Sequence, residues 1–293
     1  MSTRTSIEWT RADDGTAGRT WNPVTGCTKV SDGCDHCYAE SIARRFAGTP
    51  AFPRGFKVTL HPDRLDQPAR WHAPARVFVN SMSDLFHAEV PDAFITKVFA
   101  AMAATPQHTY QILTKRPARM RSLLRNDGQP LLAASEDEAS AWALYEAPWP
   151  LPNVWLGVSV ENQHWADIRI PVLMRTPAAV RFLSCEPLLA PIDLRAAMWT
   201  LGSERGHGLT MSFAHAGGCC TRLHGLDWVI AGAESGPGAR ALDLDWVRAM
   251  RDQCVNAGTA FFYKQNADRR GRKIPTPELD GQRWTQFPAA VTA

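Results

Sequence analysis

Three of the chain's seven cysteines, Cys27, Cys34 and Cys37, lie within eleven residues and follow the spacing C-x6-C-x2-C. Thiolates bind soft metals, and cysteines two residues apart can reach the same centre. Four such ligands would close a zinc or iron–sulfur site, whereas three leave one position open for a small molecule or for a fourth ligand such as His36. The spacing leaves three interpretations open: a [4Fe–4S] cluster with one free iron, a zinc ion, or reduced cysteines that bind nothing.

The composition is that of a globular protein, with 293 residues of which 45% are hydrophobic and 21% are charged. The chain has no apolar run of roughly eighteen residues, as a membrane span requires, and its first residues lack the apolar core of a secretory signal. We therefore expect a cytoplasmic protein, in which clustered thiols indicate metal binding or catalysis rather than disulfides. The net charge of +3 does not by itself predict a polyanionic partner.

Short apolar runs alternate with helix-like segments along the chain. Most runs lack polar alternation, as expected for strands buried on both faces of a parallel sheet. Repeated β-then-α units predict an α/β fold, a (βα) barrel that is either eight-stranded and TIM-type or incomplete with six strands, with an open doubly wound sheet as the alternative. We expect a single domain over 1–293, with insertions near 126–152 and 200–225. The predicted strands are 19–26, 57–61, 76–80, 109–113, 153–159, 180–185, 227–232 and 260–264.

Polar side chains follow nearly every predicted strand. In barrels of this kind the reactive residues gather in the loops after the strands, so these side chains are candidates for one shared site. The alternative is that loops are polar simply because water solvates them. The cysteine-rich stretch follows the first predicted strand and belongs to the same end. The other candidates are Asn80, Ser81, Asp84, Thr114, Lys115, Arg116, Ser159, Glu161, Asn162, Ser184, Cys185, Glu186, Glu234, Ser235, Lys264 and Gln265.

Several longer motifs occur in one order between Ile7 and about Gln265. They are WNPVTGCTKVSDGCDHCYAE, NSMSDLFH, LTKRP, GVSVEN, FLSCEPLL, AGAESGPGAR and YKQ. Together they closely resemble a phage- and mobile-element-associated family of radical-SAM-like proteins of unknown function, where SAM is S-adenosylmethionine. A three-cysteine loop after the first strand of a βα barrel is also similar to the wider radical SAM superfamily, in which the usual spacing is C-x3-C-x2-C.

The resemblance implies a [4Fe–4S] cluster on the three cysteines, with SAM bound through its amino and carboxylate groups at the open iron. One electron from an electron donor protein would cleave SAM into methionine and a 5′-deoxyadenosyl radical, which abstracts hydrogen from a substrate. Glu186 or Glu234 would accept a hydrogen bond from SAM, and Gly232 would allow close backbone approach. The cofactor-binding candidates are His36, Tyr38, Asn80, Ser184, Glu186, Gly232, Glu234 and Ser235. The catalytic candidates are Lys115, Lys264 and Cys185, the last as a hydrogen-atom donor or else as a small core residue.

Basic residues form three clusters, which predict either a path for a nucleic-acid backbone or an ordinary solvated face. Together with the mobile-element resemblance, they make nucleic acid or a nucleotide a candidate substrate. Two other functions stay open: a zinc-bearing, non-redox nucleic-acid-binding protein with His36 as fourth ligand, and a barrel whose cluster is structural or carries electrons. The basic residues are Arg44, Arg45, Arg54, Lys115, Arg116, Arg119, Arg121, Arg125, Arg269, Arg270, Arg272 and Lys273.

The segment 207–224 is rich in metal-binding residue types. A second metal site is one interpretation of it. Vicinal cysteines rarely ligate one ion together, and the spacing matches no zinc pattern, so we predict a flexible loop instead. The residues concerned are His207, His215, Cys219, Cys220 and His224.

Overall fold

The computed structural model describes residues 4–12, 14–197, 223, 225–236, 238–268 and 270–289. Its strands are β1 (Arg19–Trp21), β2 (Val24–Thr25), β3 (Thr59–Leu60), β4 (Arg76–Val79), β5 (Thr109–Thr114), β6 (Val154–Ser159), β7 (Val180–Cys185), β8 (Trp228–Gly232), β9 (Ala260–Ala267), β10 (Lys273–Pro275), β11 (Glu278–Leu279) and β12 (Gln282–Arg283). Its helices are α1 (Tyr38–Arg45), α2 (Asp92–Ala103), α3 (Pro117–Leu124), α4 (Gln129–Ala133), α5 (Glu138–Tyr145), α6 (Gln163–Met174) and α7 (Leu244–Ala257).

Within the described residues, eight strands form one open sheet in the order β1-β4-β5-β6-β7-β8-β9-β10. The first seven strands of that order pair in parallel, and β10 pairs antiparallel with β9. Helices α2, α3, α6 and α7 bury apolar side chains in the same cluster as one face of this sheet. The chain is therefore a mixed α/β protein, and no helix in its described part is long and apolar enough to cross a membrane.

The sheet is curled into a half-barrel, and Trp9 shows the curvature directly. The Trp9 ring centroid lies 4.6 Å from that of Phe78 on β4 and 6.1 Å from that of Trp228 on β8. Strands four places apart in a flat sheet would be separated by about 19 Å, too far for one indole to contact both. Trp9 therefore fills the concave side of the curled sheet.

The concave face changes character along each strand. Trp9 packs there in a buried cluster with Phe78, Trp155, Phe182, Trp228 and Phe262, one ring from each of five strands. Because side chains alternate between faces, the residue two positions later points to the same side. That rule places Asn80, Ser184 and Lys264 beyond the aromatic layer, toward the carboxyl ends of the strands. The concave side thus has an apolar floor and a polar rim.

Two of the predicted strands differ from those observed. The segment 19–26 is divided into β1 and β2, because Pro23 lies between them and has no N–H for the ladder. The segment 57–61 contributes only β3, which pairs with β2 and stays outside the main sheet. The six later predicted strands are confirmed. Helices α4 and α5 occupy the predicted insertion 126–152, whereas 198–222 and 224, which hold the metal-binding residue types of 207–224, lie outside the described residues.

His61, just after β3, makes the stability of this region depend on pH. The ring is buried, and its Nε2 lies 2.8 Å from the hydroxyl oxygen of Thr25. Burial, assisted by the nearby charge of Arg64, lowers the pKa of His61 from 6.5 to about 4. Between pH 6.5 and about 4, His61 is therefore protonated in the unfolded chain and neutral in the folded chain, so stability is lost as the pH falls through this range.

We expect His61 to lower the free energy of unfolding by about 2 kcal/mol between roughly pH 7 and pH 5. Denaturant titrations at both pH values should show this loss in the natural chain and a smaller loss in His61→Gln. Equal losses in the two proteins would contradict the assignment.

Candidate functional site

A cavity of about 410 Å³ lies at the carboxyl ends of the parallel strands. Its wall includes the three clustered cysteines, and Trp9 and Phe78 line it from the aromatic layer. Most of the residues predicted for the site are brought together here. Those that line the cavity are Cys27, Cys34, His36, Cys37, Tyr38, Asn80, Ser81, Asp84, Thr114, Lys115, Arg116, Ser159, Ser184, Glu186, Glu234, Ser235, Lys264 and Gln265.

Cys185 and Gly232, which were given a catalytic and a cofactor-binding role, do not line the cavity, and neither do Glu161 and Asn162 of the wider candidate set. Cys185 follows Ser184 on β7 and points to the opposite face, where it is fully buried among apolar side chains. Burial there raises the pKa of its thiol well above the ordinary value, as expected for a core cysteine. Gly232 lies behind the wall, where an added Cβ would approach the Gln265 side chain to 3.2 Å.

The cysteine loop, residues 26–37, begins with a tight approach between backbones. Gly26 donates its N–H to the carbonyl oxygen of Met82, and its φ is +85°. A Cβ at this position would lie 2.3 Å from the carbonyl oxygen of Lys57, so glycine is required. The loop thus leaves β2 pinned against the segment that follows β4.

Asp84, after β4, holds the start of the cysteine loop through Arg116. The guanidinium donates to Asp84 at 2.9 Å, to the Thr28 carbonyl oxygen at 3.0 Å and to the Cys27 sulfur at 3.5 Å. Burial, and then the nearby Asp84 charge, raise the pKa of Cys27 to about 11, although Arg116 acts in the opposite direction. A cationic hydrogen-bond donor therefore contacts the first cysteine directly.

Glu161, after β6, holds the middle of the loop. Its carboxylate is fully buried and accepts hydrogen bonds from Ser31 at 2.8 Å, from Arg169 at 3.0 Å and from Lys115. Burial alone would raise the pKa of Glu161, but the two cations outweigh it and leave that pKa below its ordinary value. Gly33 packs so closely that a Cβ would meet Glu161 at 2.5 Å. The loop before Cys34 therefore rests on this carboxylate.

Glu234, after β8, holds the end of the loop. It accepts hydrogen bonds from His36 Nδ1 at 2.9 Å and from the Arg240 guanidinium at 2.7 Å, and Arg240 also donates to the Asp32 carbonyl oxygen at 2.8 Å. Burial opposes ionisation of Glu234, but the hydrogen bonds from Arg240 and His36 lower its pKa to about 2. Each third of the cysteine loop is thus fixed by a carboxylate with a cationic partner.

A known protein family matches nearly the whole chain. The family model described as "Protein of unknown function (DUF5131)" matches residues 4–288. The chain belongs to the DUF5131 family. Searches of curated proteins and of solved structures gave no match. The matched region of this DUF5131 chain contains the cysteine loop, the eight-stranded sheet and every residue that lines the cavity.

Several residues that fix the loop of the DUF5131 chain were not among the residues assigned a role from the sequence. Asp84, Arg116 and Glu161 belong to the wider set of polar residues that follow predicted strands, and this location after a strand is the sequence feature that indicates their place at the site. Arg169 and Arg240 carry no such signal, because one lies within α6 and the other in the loop before α7. Their partners could be found only in the folded chain.

The cysteine, histidine and carboxylate side chains around the cavity are the possible ligands of a zinc ion or an iron–sulfur cluster. In the described part of the DUF5131 chain, no three histidine, cysteine or carboxylate side chains converge as ligands for a single ion. His36, the proposed fourth zinc ligand, holds its Nδ1 on Glu234, and a carboxylate on one ring nitrogen commonly supports a histidine that binds zinc through the other. The three thiols that line the cavity match the number of protein ligands of a [4Fe–4S] cluster with one open iron, in which three irons take one thiolate each.

Proposed function

We propose that this protein is a radical-SAM-type iron–sulfur enzyme, with Cys27, Cys34 and Cys37 as the ligands of a [4Fe–4S] cluster. The observation that carries the proposal is that all three thiols line one cavity at the carboxyl ends of a curled, parallel sheet. That end of a βα sheet is where such folds bind ligands. We assign the open sheet to the incomplete-barrel type that the resemblance implies.

The residues around the thiols suit a cluster that carries negative charge. Arg116 donates to the Cys27 sulfur, and the Ser31 hydroxyl lies 3.9 Å from the Cys34 sulfur. Hydrogen bonds to ligating sulfurs tune the reduction potential of iron–sulfur clusters. Three thiolates leave one iron for a cofactor, and the cavity beside them supplies the space.

When bound, the reduced cluster would supply one electron to SAM, giving methionine and a 5′-deoxyadenosyl radical. The electron would come from a low-potential donor, a protein in the cell or dithionite in the test tube. The chain's own contribution is position and shelter. The fixed loop holds the sulfurs in place, and the Trp9 and Phe78 rings exclude water from the floor of the cavity.

Metal analysis of protein purified without oxygen tests this assignment. We expect about four irons and four sulfides per chain after reconstitution, with a brown colour that dithionite bleaches. A colourless protein that contains zinc and no iron would contradict the proposal and would favour the zinc-bearing alternative.

A further inference from the structure

A fourth carboxylate at the rim, Glu186, has a different role from the three that hold the cysteine loop. It follows β7 and accepts two hydrogen bonds from the Lys264 ammonium, at 2.6 and 2.7 Å. Both side chains line the cavity and are mostly shielded from solvent. Among the described residues, neither side chain hydrogen-bonds to the loop 26–37, which Glu161 and Glu234 contact directly and Asp84 holds through Arg116. This pair is therefore available to a ligand.

Gln265 joins Lys264 at the cavity because β9 is irregular at this position. Ala231 of β8 pairs with Tyr263, but the next residue, Gly232, pairs with Gln265, so Lys264 is the extra residue of a β-bulge. Both Lys264 and Gln265 line the cavity as a result. Bulges beside functional sites commonly re-aim a side chain, and here the bulge turns Gln265 to the same side as Lys264.

Asn80, another residue of the rim, keeps its side-chain amide nitrogen buried. It lines the same cavity, is 3% exposed, and has a left-handed φ of +58°. Its Oδ1 accepts from the Val24 N–H, but its Nδ2 has no partner among the described residues. Because that nitrogen is enclosed by protein atoms, a ligand in the cavity cannot accept from it, and recognition depends on Glu186 and Lys264.

The remaining wall favours a flat ring as the ligand. Ile7, Trp9, Phe78 and Leu113 line the cavity and bring its apolar floor together with the polar rim. A small zwitterion would satisfy Glu186 and Lys264 but would leave these apolar side chains without contacts. An aromatic heterocycle can pack on them and present hydrogen-bonding groups at its edge.

We infer that Lys264 and Glu186 recognise a pyrimidine base that has a ring N–H beside a carbonyl group, as in uracil and thymine. Lys264 would donate to the carbonyl oxygen, and Glu186 would accept from the adjacent ring N–H. Cytosine lacks that N–H, and a 3-methyl group blocks it. The inference deepens the proposed function, on which it rests in treating the base as the substrate of the cavity.

Binding of uridine, 3-methyluridine and cytidine to the full chain by calorimetry tests the inference. We expect uridine to bind at least tenfold more tightly than the other two. Glu186→Gln and Lys264→Met should each weaken uridine binding at least tenfold, whereas Lys97→Met, which removes a lysine from α2 on the outer surface, should not change it. A parallel titration with oligothymidylate separates a free nucleoside from a base in a single strand, according to which binds more tightly.

Equal binding of uridine and 3-methyluridine would overturn the inference. Variants that lose S-adenosylhomocysteine binding but keep uridine binding would also overturn it, because the pair would then belong to SAM. Iron content measured on the same samples separates the two claims. Iron-free protein that still discriminates against 3-methyluridine would contradict only the proposed function, and iron-loaded protein without discrimination would contradict only this inference.

Discussion

Replacing Glu161 with glutamine is expected to lower the free energy of unfolding by about 3 to 5 kcal/mol. The substitution keeps the shape of the side chain but removes the charge that Arg169 faces. Arg169 is 1% exposed, its Nε and one terminal nitrogen already lack partners, and it would remain as a buried, unpaired cation. Lys115 is more exposed and can turn toward water, so most of the loss comes from Arg169.

Denaturant unfolding measures this loss, and two further variants sharpen it. Glu278→Gln removes a carboxylate whose ion pair with Arg283 is exposed on both sides, so we expect a change of less than about 0.5 kcal/mol. The double variant Glu161→Gln/Arg169→Met should recover part of the loss, because the unpaired cation is gone. A Glu161→Gln protein as stable as Glu278→Gln would show that the buried pair does not hold the fold together.

Substituting alanine for any one of the three loop cysteines is expected to remove most of the bound iron. A cluster held by three thiolates loses a corner when one is missing, and no other cysteine in the described residues lines the cavity to replace it. Cys254→Ala is the matched control, because that cysteine is buried on α7 in the hydrophobic core. It should keep the iron of the natural chain.

Iron content and sulfide content of the four variants, prepared side by side without oxygen, check this prediction. Circular dichroism shows whether each variant is folded, so that a loss of iron is not confused with a loss of structure. A folded Cys34→Ala protein that keeps its full iron load would show that the ligand assignment is wrong.

The sequence predicts the strands of the sheet well where burial dominates. The runs at 109–113 and 180–185 are mostly buried on both faces, because each strand lies between the helices and the concave core. The segment 57–61 has a similar composition, but it pairs with the short β2 beside Pro23. Composition reports burial and not partners, so it could not assign that segment to the second, smaller sheet.

The candidate site is only partly readable from the sequence for a related reason. Parallel strands bring their carboxyl ends together, which is why the residues after β4, β5, β7 and β8 meet at one cavity. The period of two would also have placed Cys185 on the outer face once Ser184 was taken as inward-facing. Arg169 is different, because a charged residue in a helix ordinarily predicts an exposed side chain. Its burial depends on Glu161, which precedes the helix and so belongs to no helical pattern of side chains that includes Arg169.

The formation of 5′-deoxyadenosine is the measurement that tests the central claim most directly. The reconstituted natural chain is incubated with SAM and dithionite without oxygen, and the nucleoside is quantified by mass spectrometry beside the Cys34→Ala variant. If the chain cleaves SAM, we expect 5′-deoxyadenosine that depends on dithionite and is absent from the variant. Iron-loaded natural protein that yields no more than the variant would contradict SAM cleavage and would leave a cluster that is structural or carries electrons.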